Sequence, residues 1–365
     1  MVESTSQKNT NGHRSEAVHR DGLPFVSVIL PVRNEGRFME LSLGAVFAQD
    51  YPRDRMEIIV ADGMSTDGTR QTIESLQLRY SNLELIDNPG CIVPTGLNAA
   101  LVKAHGEILV RVDGHCEIEP DYVSKCVEHL LTGDVDGVGG PVETVGQTGV
   151  AKAVALAMSS RLGVGNSAFR TIKDRSMLAD TVPFPAYTRA IVERAGLYDE
   201  ELVRDQDDEY NYRLRKLGAK LLLAADVRSR YYSRSSIRSL WRQYFQYGYW
   251  KVRVMQKHPR QMRWRQFVPP LFVSILLLSL LATPFSTVGA RMFALVAGSY
   301  VLANLGASVI TAGKSNWRML PLLPLAFGAL HVGYGSGFLF GLLRFWNRWQ
   351  MRTLPYEMFT NYRKS

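Results

Sequence analysis

Residues 57–69, Glu-Ile-Ile-Val-Ala-Asp-Gly-Met-Ser-Thr-Asp-Gly-Thr, decide the fold. Ile58-Ile59-Val60 is a β-branched apolar run, which suits a buried strand. Asp62 closes the run, and the Gly, Ser, Thr and Asp after it are turn and helix-start residues. A strand that ends on a carboxylate and leads into a helix is half of a βαβ unit. The pattern repeats on both sides. Val26-Ser27-Val28-Ile29-Leu30 reads as a first strand stopped by Pro31, with LELIDN (83–88) and EILVRVD (107–113) as third and fourth strands. Between them lie helical stretches at 34–49, with Phe38, Leu41, Ala45 and Val46 at helical spacing, at 66–80, and at 94–106 with Gly106 as its stop. Such βα alternation predicts an α/β fold with a mostly parallel sheet flanked by helices.

Three acidic sites punctuate this frame: Asp62, the triplet Asp113-Gly114-His115, and the run Asp205, Asp207, Asp208, Glu209. The first two follow apolar strands, and carboxyl ends of parallel strands are where open α/β sheets bind ligands. Asp113 and His115, alternating along one extended segment, can offer an oxygen and a nitrogen to one cation. Mixed ligation of that kind favours Mn²⁺ over Mg²⁺. Acids at a helix N-terminus complement its dipole, but that accounts for one or two carboxylates and not four. One of the four is better explained as a general base. Together the sites point to an enzyme that handles a nucleotide diphosphate through a divalent metal.

Past Gly140 the pattern loosens. Residues 150–160 are helical by composition, 161–170 read as a loop, DEYNYRLRKLG (208–218) as a helix capped by Gly218, and AKLLLAAD (219–226) as a last strand. Cys91, Cys116 and Cys126 form no paired framework and imply a reducing compartment. Residues 1–22 are polar, lack a signal-peptide core and are expected to be disordered.

Charge divides the chain. Met1 to Asp226 holds 24 Lys/Arg and 33 Asp/Glu; Val227 to Ser365 holds 19 Lys/Arg and one acid, Glu357. Between Arg228 and Arg265 there are 11 Lys/Arg and no acid, interleaved with Trp241, Tyr244, Phe245, Tyr247, Tyr249, Trp250 and Trp264. Cations among aromatics suit a helix lying on an anionic membrane, a better partner here than nucleic acid. Apolar segments at about 268–285, 292–311 and 319–343 are each near the roughly 20 residues that span a bilayer. Pro321 and Pro324 make the third the weakest. Three crossings would also leave Arg344, Arg348, Arg352, Arg363 and Lys364 outside, against the positive-inside tendency. The expected organisation is a tail (1–22), a catalytic domain (23–230), interfacial helices (231–266), a membrane region (267–345) and a basic tail (346–365). The expected location is a plasma or cell inner membrane, multi-pass, with the catalytic domain cytosolic.

With VSVILPVRNEG (26–36), EIIVADGMSTDGT (57–69), VDGHC (112–116) and QDDEYNYRLRKLG (206–218) in this order, the chain resembles inverting family 2 glycosyltransferases over about residues 24–230. Among these it is similar to membrane-anchored, succinoglycan-type exopolysaccharide glucosyltransferases, which also end in segments like RQYFQYGYWKVR (242–253) and in hydrophobic segments. The resemblance implies a GT-A-like fold and transfer of a sugar from a UDP-sugar, UDP-glucose by preference, to a lipid-linked acceptor hydroxyl. It places Pro31, Arg33, Asn34 and Glu35 at the nucleotide, Asp62 at uracil, Asp113 at the donor, and Asp113 and His115 at the metal, Mn²⁺ or Mg²⁺. His115 stands where the family's second metal aspartate is usual. Asp207 falls on the general base, with Asp208 as the alternative. Tyr249 stands where processive synthases carry arginine, which implies addition of one sugar. A polyprenyl-phosphate sugar synthase and a non-catalytic nucleotide-binding membrane protein are the competing readings.

Overall fold

The computed structural model describes residues 22–165 and 167–349; all but Gly22 of the tail expected at 1–22, and residues 350–365 of the basic tail expected at 346–365, lie outside them. The chain opens with the alternation the sequence dictates: β1 (Val26–Val32), α1 (Met39–Phe47), β2 (Met56–Asp62), α2 (Thr69–Gln77), β3 (Leu83–Asp87), α3 (Val93–Lys103) and β4 (Ile108–Arg111). Then come β5 (Cys116–Ile118), α4 (Tyr122–Thr132), β6 (Gly137–Gly139), β7 (Val142–Val145), α5 (Gly149–Met158), α6 (Arg161–Val164), α7 (Ala168–Thr171), β8 (Met177–Leu178), β9 (Ala186–Thr188), α8 (Arg189–Ala195), α9 (Gln206–Lys216), β10 (Leu221–Leu223) and β11 (Ser229–Tyr232). Four helices close the described chain: α10 (Ile237–Lys257), α11 (Val268–Ala282), α12 (Thr287–Lys314) and α13 (Leu323–Arg344).

The main sheet runs β3-β2-β1-β4-β9-β6-β10-β8, and a smaller one runs β5-β11-β7. β3, β2, β1 and β4 are parallel. β9 is antiparallel to both neighbours, and β8 to β10. Along β1, Val26, Val28, Leu30 and Val32 face a core layer with α1 and α4, whereas Ile29 faces a second layer with α3, α8 and α9. This is period-two alternation in a strand buried on both faces. Val32 pairs with Asp62, and Asp62 with Asp87, so these strands end flush. Chain order reverses at β1, which has β2 on one side and β4 on the other, and a crevice opens beyond the carboxyl ends at such a point.

Three expectations need correction. The segment 161–170 carries two short helices, α6 and α7, rather than a loop. The last strand is β11 rather than the one at 219–226, so the basic stretch begins as a strand. The helix expected to lie on a membrane surface, α10, has an inner face already occupied by the catalytic domain. Lys251, Arg253 and Lys257 are buried there. Lys251 pairs with Asp205 (3.5 Å) and Asp208, Arg253 with Glu201 (2.9 Å), and Lys257 with Asp199 and Glu201 (2.8 Å). Cations that looked unmatched in sequence answer acids on another element. Breaking one such buried pair costs about 3–5 kcal/mol.

α13 is an unbroken helix, because Pro324 sits in its first turn, where a missing N–H costs nothing. It packs parallel to α10 through a seam of glycines. A Cβ at Gly337 would collide with the Phe245 carbonyl, one at Gly248 with the Tyr334 carbonyl, and one at Gly341 would sit 2.7 Å from the Tyr249 carbonyl. Small residues at four-residue spacing let helix backbones approach closely. On its other side Gly335 meets Pro269 of α11. The segments Trp264–Ala282, Thr287–Lys314 and Leu323–Arg344 are each long and apolar enough to cross a membrane. α11 and α12 leave large apolar side chains bare, among them Leu278, Leu281, Leu295 and Leu302. Apolar surface of that extent marks a site of membrane or protein association.

The seam is testable. Gly337→Ala should lower stability by about 1–3 kcal/mol, the usual overpacking range. Gly328→Ala, with nothing within 4 Å of the new Cβ, should be neutral or stabilising. Thermal unfolding of the two variants in detergent checks the contrast.

Candidate active site

A cleft of about 600 Å³ opens at the switch point. β1 contributes Pro31 and Val32, the following loop Arg33 and Glu35, and β4 with its turn Arg111, Asp113, Gly114 and His115. The segment before and into α9 contributes Arg204, Asp205, Gln206, Asp207 and Asp208. Tyr231, Arg234, Gln243, Tyr244 and Tyr247 form the wall toward α10.

The centre of the site is Arg111, on β4 and 7% exposed. Its Nε and Nη2 donate to Asp113 Oδ1 at 3.1 and 2.9 Å, and its Nη1 to Asp207 Oδ1. One guanidinium therefore fixes two carboxylates some 90 residues apart in sequence. Asp207 is held from behind as well, since Asn211 Nδ2 donates to its carbonyl (2.9 Å) and Tyr187 Oη donates to Asn211 Oδ1 (2.7 Å). Burial in the cleft raises the Asp207 carboxyl above the ordinary range; Arg111 opposes the rise, and Asp113 and Asp208 add to it.

Every acid in the run has a basic partner. Asp208 and Asp205 share Lys251. Asp205, in left-handed backbone at φ 61°, is pushed up to about 7, mainly by burial. Glu209 is held down to about 2 against burial by His258 (3.0 Å) and Arg213 (2.9 Å). The repulsion inherent in the run is thus offset by cations from β4, α9 and α10, with His258 after α10 as a further partner.

Asp113-Gly114-His115 is a turn rather than an extended segment, closed by Cys116 N–H donating to the Asp113 carbonyl at 3.0 Å. A Cβ at Gly114 would press on Glu35 and Val32, both 3.0 Å away, so the turn lies tight against the end of β1. His115 Nδ1 meets Glu35 Oε1 at 2.8 Å. Burial alone would lower the His115 pKa, but Glu35, Tyr231 and Asp113 hold it at about 9. A carboxylate on Nδ1 leaves Nε2 for a cation, the usual support of a metal-bound histidine. Binding would have to displace a proton. No group of three or more His, Cys, Asp or Glu side chains suited to a metal occurs among the described residues. Asp113 and His115 alone would leave the other positions of a cation to a diphosphate and water.

The remaining expected residues divide. Pro31, Arg33 and Glu35 line the cleft. Asn34, at φ 55°, lies outside it and pins the adjoining loop, its Oδ1 accepting from Thr66 N–H at 2.9 Å. Asp62 ends β2 as expected but is fully buried, accepting from Ser65 N–H (3.2 Å) and Arg70 (3.4 Å). Tyr249 packs against Phe340, Phe345 and Trp250 and is not a cleft residue. Sequence reasoning missed Arg111, whose only signal was a cation inside an apolar strand. It also missed Arg170, Arg204 and Arg234, which line the cleft. Arg170 is held by Thr144 (3.0 Å) and lies over the rings of Phe169 and Tyr231.

A mostly parallel sheet with this strand order, and a cleft walled by arginines and aspartates at its carboxyl edge, is the GT-A-like fold of nucleotide-diphospho-sugar transferases. Residues 27–199 match the family described as glycosyl transferase family 2. Residues 27–199 are a family 2 glycosyltransferase domain, and the chain is a glycosyltransferase. Succinoglycan biosynthesis protein ExoA of Rhizobium meliloti (strain 1021) is 29% identical over 326 residues, 88% of this chain and 96% of that protein. A dolichyl N-acetyl-alpha-D-glucosaminyl phosphate 3-beta-D-2,3-diacetamido-2,3-dideoxy-beta-D-glucuronosyltransferase of Methanococcus voltae is 27% identical over 328 residues, 88% of this chain and 98% of that one. Among solved structures, the mannosyltransferase PcManGT from Pyrobaculum calidifontis, in complex with GDP-Man and Mn²⁺, shares the fold with a TM-score of 0.53 at 20% identity, over 86% of this chain and 88% of that chain.

The Glu35–His115 contact yields a direct check. Glu35→Gln removes the carboxylate that keeps the imidazole protonated, while burial still opposes charge. The His115 titration should fall from about 9 to near or below the ordinary value of about 6.5. Histidine NMR signals followed against pH read it.

Proposed function

We propose that the enzyme transfers one sugar, with inversion, from a UDP-sugar to a hydroxyl of a lipid-linked acceptor, in the synthesis of an exopolysaccharide or another cell-surface glycan. The observation that carries this reading is the Asp113–Arg111–Asp207 chain. It sets a carboxylate of raised pKa in the same cleft as Asp113 and His115, the pair suited to a cation. Asp207 is the base that takes the acceptor proton, and Arg111 keeps its second oxygen turned toward the cleft. Asp208 is less suited, since it is spent on Lys251. Asp113 and His115 would hold Mn²⁺ or Mg²⁺, which would supply Lewis-acid stabilisation to the leaving diphosphate. Arg33, Arg170, Arg204 and Arg234 add positive charge along the walls. For the nucleotide, Pro31, Arg33 and Glu35 form the floor. Asp62 acts on uracil only if Ser65 and Arg70 release it, so its role here is to shape the loop that receives the base.

Two observations support a lipid-linked acceptor. Tyr244 and Tyr247 of α10 line the cleft, and the Leu162 carbonyl, beside cleft residue Val164, meets His331 of α13 at 2.8 Å. The acceptor end of the cleft therefore adjoins the apolar helices. The Methanococcus voltae relative is named for a dolichyl-linked sugar phosphate, and the Rhizobium meliloti relative for succinoglycan biosynthesis.

Purified protein assayed with UDP-glucose, UDP-galactose, UDP-GlcNAc and GDP-mannose on a lipid-linked primer tests the reading. A uridine donor should be used and the primer should grow by one sugar; a long ladder of products would argue for a synthase. Asp207→Asn should lower the rate by about 10²–10⁴-fold with donor affinity nearly unchanged, whereas Asp208→Asn should weaken stability more than turnover. Chelation should abolish transfer and Mn²⁺ should restore it; full activity in EDTA would exclude the metal role.

A further inference from the structure

The membrane helices do not behave alike. α10 touches the catalytic domain along its whole length: Leu240 enters its core, Gln246 receives Arg204 (3.3 Å), Arg253 pairs with Glu201, and His258, just past its end, with Glu209. α13 runs parallel beside it, so both ends of α13 stay on that domain. Near its start Ala326, Phe327 and Leu330 belong to the catalytic core. Past its end the Phe345 carbonyl accepts from Gln256 Nε2 (2.6 Å), and Arg348 lies 3.6 Å from Glu201. A helix anchored to one domain at both ends does not carry the chain to the far side of a bilayer.

α11 and α12 form a hairpin. Val273 of α11 contacts Gly335 of α13, and Asn304 and Ala312 of α12 contact Pro324 and the catalytic core. At the tip Ala282 meets Gly289, while Phe285 is 89% exposed. Charge marks the same boundary. No charged residue occurs from Gln266 to Ala290, and 22 uncharged residues separate Arg291, near the tip, from Lys314, near the catalytic domain. At about 1.5 Å per residue these cover roughly 33 Å, close to the roughly 30 Å of a hydrocarbon core.

We propose that the chain crosses the bilayer twice, through α11 and α12 only, while α13 lies along the catalytic domain at the near interface. The turn Thr283–Ser286 is on the far side, and Trp349 is on the catalytic side. This places Arg344 and Arg348 with the catalytic domain and removes the conflict with the positive-inside tendency. The proposal rests on the reading that the apolar helices meet lipid.

The test uses full-length protein in sealed vesicles of known orientation. Single substitutions Leu78→Cys, Phe285→Cys and Asn347→Cys, all at exposed positions, are labelled with a membrane-impermeant maleimide, and the labelled peptide is located by mass spectrometry. Positions 78 and 347 should label from the same face and position 285 only from the other. Labelling of 347 from the face opposite 78 would overturn the proposal in favour of three crossings. Labelling of all three from one face would overturn it in favour of a hairpin that does not cross. Release of the wild-type chain by alkaline carbonate would instead defeat the membrane reading itself.

Discussion

Four carboxylates within five positions, Asp205 to Glu209, would drive their own segment apart if left uncompensated. The structure answers them one by one. Arg111 reaches Asp207 from the sheet, Lys251 reaches Asp205 and Asp208 from α10, and Arg213 and His258 close on Glu209. Much of the remaining organisation follows. Asp207 is oriented because the Arg111 that holds it is itself pinned to Asp113. α10 is held against the catalytic domain because its buried cations pair with acids of that domain. The apolar helices are positioned because α13 is locked to α10 by glycines.

This arrangement also sorts the run by chemistry. Glu209, low in pKa between Arg213 and His258, is a fixed charge that anchors α9. Asp208 is neutralised by an ammonium. Asp207 has one oxygen tied to a guanidinium and its carboxyl raised, which suits a group that must accept and release a proton. Identical side chains acquire different duties from the direction their partners arrive.

The α/β frame was legible because its signals are local. β-branched runs ending on Pro31, Asp62 and Asp113 declare strand ends, and Gly106 and Gly218 declare helix stops. Candidate residues at those ends, Glu35, Asp113, His115 and Asp207, duly converge on one cleft. What could not be read was pairing at long range. Arg111 looked like a stray cation in an apolar strand, and the acid-free stretch 228–265 looked like a lipid-binding face. Each finds its partner on an element distant in sequence. Asp62 shows the converse: its place at the end of β2 was readable, but the Arg70 and Ser65 contacts that enclose it were not. Pro324 likewise looked like a breaker until its position in the first helical turn was known.

The sharing of one apolar core between the catalytic domain and α13 bears on how the protein is made. Ribosomal synthesis delivers the N-terminal part first, and domains generally fold as they emerge. Here the layer containing Val154 and Met158 is completed only by Phe327 and Leu330, and Asp208 waits for Lys251. Until those residues appear, the nascent catalytic domain presents an open apolar flank and an unbalanced acidic segment. The cleft therefore matures late, after the α11–α12 hairpin has been synthesised and α13 has docked, so completion of the active site follows synthesis of the apolar segments.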